Sequence, residues 1–314
     1  MTALSPLASF PVPGELPLVS IVIPTLASVG RREQLRSAVQ SVLADANGRV
    51  KAIVCVNGQR WDASVLAEVE KMGGVCVYKL AEPSLPKAIA YGRSVVKTEF
   101  FGFLDDDDEL LPGAINERLK ILVSKPDCDL VVSNGIRRTA LGDQLLLTRL
   151  ESVPADPLTS LFEENWLPSC GGLFRTATIG QGYFVDYHEY AEWTWLAYRL
   201  AIEGKRVAIV NRPTFVVNDT PGSLSKSVAY DNAYIALYRR MLDRNPKASI
   251  RKVILMRMAS ALHDQSSASL KRGETFDAAR SHFHSLFLPG GLRFLSYTRH
   301  IARQALTSRL RRVQ

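Results

Sequence analysis

Residues 99–112 read EFFGFLDDDDELLP. An apolar run, FFGFL, passes directly into four consecutive aspartates, Asp105, Asp106, Asp107 and Asp108. A short, continuous apolar run is the pattern of a strand buried on both faces. Such a strand delivers four carboxylates to its own carboxyl end. Packing like charges there costs free energy unless a cation neutralises them. Hard carboxylate oxygens suit Mg2+ or Mn2+, which typically join protein carboxylates to substrate phosphates. A charge run is usually just a solvated face; the buried strand that feeds this one sets it apart. A calcium loop of the EF-hand kind does not fit. Counted from Asp105, its sixth position is Leu110 and its twelfth Asn116, where that loop needs Gly and Glu.

Working outward, short apolar runs alternate with amphipathic stretches. LVSIVIPT (18–25) reads as a buried strand. RREQLRSAVQSVLADAN (31–47) sets Leu35, Val39, Val42 and Leu43 at helical spacing, with Asn47 and Gly48 as a stop signal. KAIVCVNG (51–58) and GGVCVYKL (73–80) read as strands. DASVLAEVEKM (62–72) and LPKAIAYGRSVVKT (85–98) read as helices. This alternation argues for an α/β fold with a mostly parallel, helix-covered sheet. In such sheets ligands bind beyond the carboxyl ends of the strands. Three strand ends carry polar residues, Thr25, Asn57 and Asp105 onward, and a parallel sheet opens them into one crevice.

Downstream, DLVVSNGIRR (129–138) reads as a strand and LPSCGGLFRT (167–176) as a small-residue stretch. EYAEWTWLAYRLAIEG (189–204) reads as a helix ended by Gly204, and KRVAIVNRPTFVV (205–217) as a strand. Beyond about residue 228 the chain becomes helical and basic. The expected organisation is an irregular lead-in over 1–17, a catalytic domain over 18–227 and a helical, basic region over 228–314.

The chain has 314 residues, 46% hydrophobic and 22% charged, with a formal charge of +8. That length and composition suit a globular protein with a sizeable core. The basic balance favours anionic partners: nucleoside diphosphates, anionic lipid or nucleic acid. Nucleic acid is the poorest fit, because the basic residues lack aromatic interleaving and the acidic run sits at the expected site. Cys55, Cys76, Cys128 and Cys170 form no CxxC pair, so a zinc knuckle is not expected. They read as buried, reduced thiols of a reducing cytosol. The opening residues lack a basic n-region and are broken by prolines, unlike a signal peptide. No apolar run approaches the roughly 20 residues that span a bilayer. A cytoplasmic location, with peripheral attachment at the inner face of the plasma membrane as a variant, is the expectation. No GxGxxG follows the first strand, against a dehydrogenase. IPTLASVGRREQ holds one glycine, against the Gly-rich phosphate loop of a sugar nucleotidyltransferase.

Five segments in order resemble family-2 glycosyltransferases. LVSIVIPT resembles that family's opening strand, and FLDDDDELLPGAI resembles its FLDxDDxxxPxxL signature with the DxD metal motif. Gly92 falls where the family often has the Gly of ARNxG. GYFVDYHEYAEWTWLAYRLAIEGKRV is similar to its G-x-F-D segment, ED helix and following R-L-x-x-x-G, and TPGSLS (220–225) to its late S-x-S loop. The resemblance implies a GT-A fold: a Rossmann-like nucleotide-binding half and an acceptor-binding half in one sheet. It implies a nucleoside-diphosphate-sugar donor, a glycan or lipid-linked acceptor, a divalent cation (Mg2+ or Mn2+) and a part in polysaccharide or lipid-linked oligosaccharide assembly. Thr25 then matches a nucleotide-contacting position and Asn57 a base-reading aspartate. Asp105 and Asp106 match the ribose and metal-motif region, and Asp107 the carboxylate that holds the cation.

The chain departs from the family at three places. DDGS is here Val56-Asn57-Gly58-Gln59, so an amide stands for the acid; the alternative is a plain Asn-Gly turn. The Arg-Asn of ARNxG is Ile89-Ala90, which leaves Lys87, one turn away, as the phosphate-facing cation or a surface lysine. The ED pair leaves Glu192 as its single acid. Inversion at the anomeric carbon needs a carboxylate base, which assigns Glu192, with Glu189 and Asp186 as alternatives and an ordinary exposed helix face as the rival. Trp193 and Trp195 are candidates for stacking on a sugar or for the core. These departures keep open a non-catalytic, nucleotide-sugar-binding or partner-binding protein of the same fold. Finally, GLRFLSYTRHIARQALTSRLRRVQ (291–314) holds Arg293, Arg299, Arg303, Arg309, Arg311 and Arg312 and no acid. Leu295, Ile301, Leu306 and Leu310 share part of one helical face, which suits an anionic membrane interface or packing on the catalytic domain.

Overall fold

The structure, a computed structural model, describes residues 18–45, 49–219 and 228–310. The lead-in 1–17, the Asn47 and Gly48 stop signal, the TPGSLS loop and Arg311 and Arg312 lie outside the described residues. The chain divides into two compact units. One runs to Tyr187 and adds Arg199–Thr220; the other joins His188–Tyr198 to the chain from Pro221 onward.

The first unit is built on one nine-stranded sheet. Its strands are β1 (Val19–Thr25), β2 (Val50–Asn57), β3 (Val75–Leu80), β4 (Phe100–Phe103), β5 (Glu109–Leu110), β6 (Leu130–Thr139), β7 (Gly142–Leu145), β8 (Gly172–Arg175) and β9 (Val207–Asn218). The order is β3-β2-β1-β4-β8-β6-β9-β5, with β7 hairpinned to β6. The first four strands are parallel, as the alternation predicts. Beyond them the sheet turns mixed: β8 is antiparallel to both β4 and β6, β5 is antiparallel to β9, and β6 and β9 are parallel. LPSCGGLFRT therefore contains a core strand that its small residues conceal. The two-residue strand β5 is too short for any periodicity to show.

Helices α1 (Arg32–Leu43), α2 (Ala63–Glu70), α3 (Leu85–Val95) and α4 (Ala114–Ser124) lie between these strands in the chain, followed by the short α5 (Pro157–Glu163) and α6 (Gly182–Val185). Their starts follow from local chemistry. Asp62 accepts the Ser64 and Val65 N–H groups at the head of α2, and Ser84, followed by Pro86 in the first turn, begins α3. On α1, Leu35, Val39 and Val42 are buried as their spacing predicts. They join Val19, Ile21 and Ile23 of β1 and Val54 and Val56 of β2 in the main core. Helix α3 lies close over β1 because Gly92 has no side chain. A Cβ there would stand 2.3 Å from Val22 Cγ1 and 3.0 Å from Cys55 Sγ.

One feature of this order positions the site. The chain steps outward from β1 to β2 to β3, then returns to lay β4 on the other side of β1. The connections above β1 and β4 therefore diverge, which opens a crevice beyond their carboxyl ends. Thr25 ends β1 and Asp105 follows β4, so both reach that crevice.

The second unit is helical. It holds α8 (Val228–Asp243), α9 (Ala248–Lys271), α10 (Thr275–Leu286), a 3-10 segment (Gly291–Tyr297) and α11 (Thr298–Leu310). It also holds the first residues of α7 (Glu192–Ile202), whose remainder counts with the sheet. Ile235, Met258 and Leu262 form one core, and Leu270, Ala278 and Ile301 another. Trp195 is buried, stacked on Tyr198 at 5.8 Å and covered by the Arg240 guanidinium at 4.2 Å. Its role is packing, not sugar stacking. The expected apolar face of the tail is also divided: Ile301 is buried in the unit's own core while Leu295 is exposed. The side chains of Leu306, Arg309 and Leu310 lie outside the described residues.

Candidate functional site

The parallel register places the aspartates. Val22 pairs with Phe103, and Leu104 N–H donates to Val22 O at 3.0 Å. Continued step by step, the register brings Asp106 level with Thr25. The Thr25 hydroxyl accepts the Ala27 N–H at 2.9 Å, which leaves its own proton for Asp106 Oδ2 at 2.6 Å. The chain then turns tightly, with Asp108 N–H bonded to Asp105 O at 3.1 Å. The turn fans the four carboxylates apart.

Each carboxylate has its own surroundings. Arg31 enters from the 3-10 turn Val29–Arg31 after β1. Its Nη1 lies 3.1 Å from Asp106 Oδ1 and 2.8 Å from Asp107 Oδ2. Burial lowers the Arg31 pKa, but the two aspartates outweigh it, so the guanidinium is held charged. Ser169 donates to Asp105 Oδ2 at 2.6 Å, and the Cys170 thiol to Asp108 Oδ2 at 3.2 Å. Both come from the loop before β8, the neighbour of β4. From the end of β9, Asn218 N–H donates to Asp108 Oδ1 at 3.0 Å and its side-chain amide to Asp107 O at 2.6 Å.

Burial dominates the electrostatics. It raises the Asp106 pKa against the opposing pull of Thr25 and Arg31. It lifts Asp108 further, to about 8, with Asp105 and Asp107 adding like-charge repulsion. It also raises the Cys170 thiol well above its ordinary value, with Asp108 and Asp105 adding to the effect.

Oxygen and sulfur atoms of Asp105, Asp108 and Cys170 converge within 4.8 Å of one another. The thiol is soft and held protonated, so it supplies no ligand for Mg2+ or Mn2+. The carboxylates are hard donors crowded into a partly desolvated turn, and they fit a divalent cation. Asp107, expected as the principal ligand, stands slightly apart with one oxygen on Arg31.

The remaining expected residues fall in three places. Asn57 ends β2, and its Oδ1 is buried without a hydrogen-bond partner. Gly58 follows at φ +83°, its N–H on Leu80 O, so this Asn-Gly pair both turns the chain and presents an orphan acceptor. Lys87 is an exposed residue at the start of α3, ion-paired with Glu82 and not with an aspartate of the cluster. Glu192 begins α7, in the helical unit. Burial raises its pKa, and its Oε1 accepts the Tyr190 N–H at 3.0 Å. Tyr190 has φ +65°, so the helix starts at Glu192 and not at Glu189 as the periodicity suggests. Glu189 is therefore an exposed residue ahead of the helix, and Asp186 is ion-paired with Arg199 at 3.3 Å.

Asp108, one of the four aspartates expected to hold the cation, belongs to this cluster, as do Arg31, Ser169, Cys170 and Asn218, which the sequence does not assign to it. Asp108 carries a signal, as the last acid of FLDxDD. The other four carry none, because they reach the site through strand neighbours distant in sequence.

A mixed sheet with a switch point between β1 and β4 is the GT-A arrangement, and solved structures agree. S. aureus TarS 1–349 in complex with UDP-GlcNAc superposes with a TM-score of 0.60 at 13% identity, over 82% of this chain and 75% of that one. The same protein in complex with UDP gives 0.55 at 13%, over 82% and 74%. At that identity the likeness establishes the fold. The sequence is more specific: residues 20–174 match the family model described as Glycosyl transferase family 2. An uncharacterized glycosyltransferase of Rickettsia typhi is 28% identical over 119 residues, 38% of this chain and 36% of that protein. The match thus spans little more than a third of that relative's length.

Proposed function

We propose that the chain transfers a sugar from a nucleoside-diphosphate-sugar to a glycan or lipid-linked acceptor, with inversion at the anomeric carbon and dependence on a divalent cation. One observation carries this reading: Asp105, Asp106, Asp107 and Asp108 stand at the switch point, tied to the end of β1 through Thr25. Asp105, Asp107 and Asp108 would hold the cation, whose chemistry is to neutralise the charge of the departing diphosphate. Thr25 and Arg31 fix Asp106, and Ser169 fixes Asp105. Arg31, already against the aspartates, takes the place expected of Lys87 as the cation nearest the diphosphate. Asn57 Oδ1, an orphan acceptor, suits an N–H on the edge of the base. Uracil offers one, and the TarS structures hold UDP-GlcNAc and UDP. Glu192 is the proposed base for the acceptor hydroxyl. A carboxylate with a raised pKa binds that proton more strongly than an ordinary one. The basic C-terminal region supports peripheral attachment to an anionic membrane, where lipid-linked acceptors lie. No helix among the described residues is long and apolar enough to cross a membrane.

The test is a donor screen, uridine-based sugars first, that follows release of free nucleoside diphosphate with and without candidate acceptors. Cation-dependent, acceptor-stimulated release from one donor is expected. Tight donor binding with no release from any donor would establish the non-catalytic reading instead.

A further inference from the structure

Helix α10 is amphipathic in an inverted sense. Ala278, Ser281, His282 and Ser285 are its buried face, and three of those four are polar. The residues on the opposite side are phenylalanines. Phe276, Phe283 and Phe287 are 80%, 48% and 87% exposed. They are spaced by seven and four residues, so at about 100° per residue they fall within about 40° of one another. The buried residues centre about 180° away. The three rings thus form a stripe roughly 16 Å long that points away from the unit's own core. The 3-10 segment that follows packs against α10. It adds Leu292 and Leu295, 71% and 57% exposed, at the three-residue spacing that aligns side chains on such a helix.

Scattered exposed apolar residues need no explanation, but three aligned phenylalanines with two more exposed leucines on the adjoining segment do. Its setting says what covers it. Lys271 to Gln304 carries six Lys or Arg residues, Lys271, Arg272, Arg280, Arg293, Arg299 and Arg303, against two acids, Glu274 and Asp277. Those acids are met by Arg272 and Arg280. Arg280 lies on the phenylalanine face itself, one turn from Phe276 and about one from Phe283. Protruding aromatic and Leu side chains amid a basic surplus suit the interface of an anionic bilayer, where rings enter the headgroup region and guanidinium groups meet phosphates.

We propose that this face, Phe276, Phe283, Phe287, Leu292 and Leu295 with Arg280, seats the protein on an anionic membrane. The proposal rests on the peripheral-membrane reading above and names its surface. The face lies on α10 and the 3-10 segment, and not on the α11 face that includes Ile301, which is buried in the unit's own core.

The experiment is flotation of the full chain, without donor or acceptor, on phosphatidylcholine vesicles with and without about one third phosphatidylglycerol. The protein is compared with Phe276→Ser/Phe283→Ser/Phe287→Ser and with Arg280→Ser/Arg299→Ser. These side chains are exposed, and an unchanged Tm confirms that the variants fold. The wild type is expected to float with anionic vesicles only, the triple variant to lose roughly tenfold or more of its partitioning, and the arginine variant to lose the anionic preference. Equal flotation of wild type and triple variant overturns the assignment of this surface while leaving peripheral attachment intact. No flotation of the wild type overturns both. A wild-type dimer that the triple variant dissolves, with flotation unchanged, assigns the face to a second copy and also overturns the proposal.

Discussion

Replacement of Asp108 by asparagine should stabilise the metal-free protein, and by more as the pH rises. Asp108 is buried, accepts from Asn218 N–H and from the Cys170 thiol, and has Asp105 and Asp107 as like-charged neighbours. Its folded pKa is raised to about 8, first by burial and then by those neighbours. In the unfolded chain it titrates near 4. The sign follows: between these values the folded state holds a proton that the unfolded state has released. The stabilising contribution is intact below about pH 4 and is lost as the pH rises through about 8. One titrating proton gives at most about 1.4 kcal/mol per pH unit, hence a ceiling near 6 kcal/mol above pH 8. Relaxation of the turn reduces this, and about 2 to 4 kcal/mol is expected between pH 5 and pH 8. Asparagine keeps the oxygen that accepts from Asn218 and removes the charge. Whatever it loses at Cys170 is a constant offset, so the slope is the diagnostic quantity. Urea unfolding of wild type and Asp108→Asn in EDTA at pH 5, 6, 7 and 8 measures it. A stability difference that stays flat across this range would show that Asp108 is ionised throughout and refute the reasoning. Saturating Mn2+ should stabilise the wild type more than the variant, because the cation neutralises the same carboxylates.

Three further outcomes are expected. Asp107→Ala should abolish cation-dependent binding of nucleoside diphosphate in calorimetry with the fold unchanged by circular dichroism; an unaltered cation-dependent affinity would remove Asp107 from the site. Glu192→Gln should leave donor binding intact and reduce transfer by on the order of a hundredfold or more. Because the Glu192 pKa is raised, the acid limb of the wild-type rate should lie above the ordinary glutamate value of about 4.3 and vanish in the variant; near-full turnover of Glu192→Gln would move the base elsewhere. Gly92→Ala should destabilise the protein by about 1 to 3 kcal/mol, since the new methyl meets the buried, β-branched Val22. Its better helix propensity offsets up to about 1 kcal/mol, and an unchanged or raised Tm would show that α3 lifts from β1 without cost.

Much of the fold is legible along the chain because its signals are local. The runs that become β1, β2 and β4 are predominantly apolar. Leu35, Val39 and Val42 repeat at the period of one turn, and a strand that ends in four aspartates announces a charged site at its own carboxyl end. Thr25, Asn57 and the aspartates are each the polar residue that follows a buried strand, so a parallel sheet alone gathers them at one edge. What the one-dimensional pattern lacks is the order of the strands and the reach of side chains between neighbours. β8 is four residues among glycines, and only its hydrogen bonds to β4 and β6 reveal it as a central, antiparallel strand. That placement carries Ser169 and Cys170 to Asp105 and Asp108, across more than sixty positions of sequence. The pairing of β5 with β9 brings in Asn218 by the same means. Burial is likewise a tertiary property. On a solvated loop these carboxyl groups would not be desolvated; burial in this turn pushes Asp106 and Asp108 upward, and Arg31 is the counter-charge of Asp106 and Asp107. In the helical unit, sequence periodicity places Ile301 on an apolar face that suits a membrane interface or the catalytic domain, yet Ile301 packs with Leu270 and Ala278 of its own unit and the phenylalanines of α10 are left outside. A helical period determines which residues share a face; only the packed neighbours decide which face meets water.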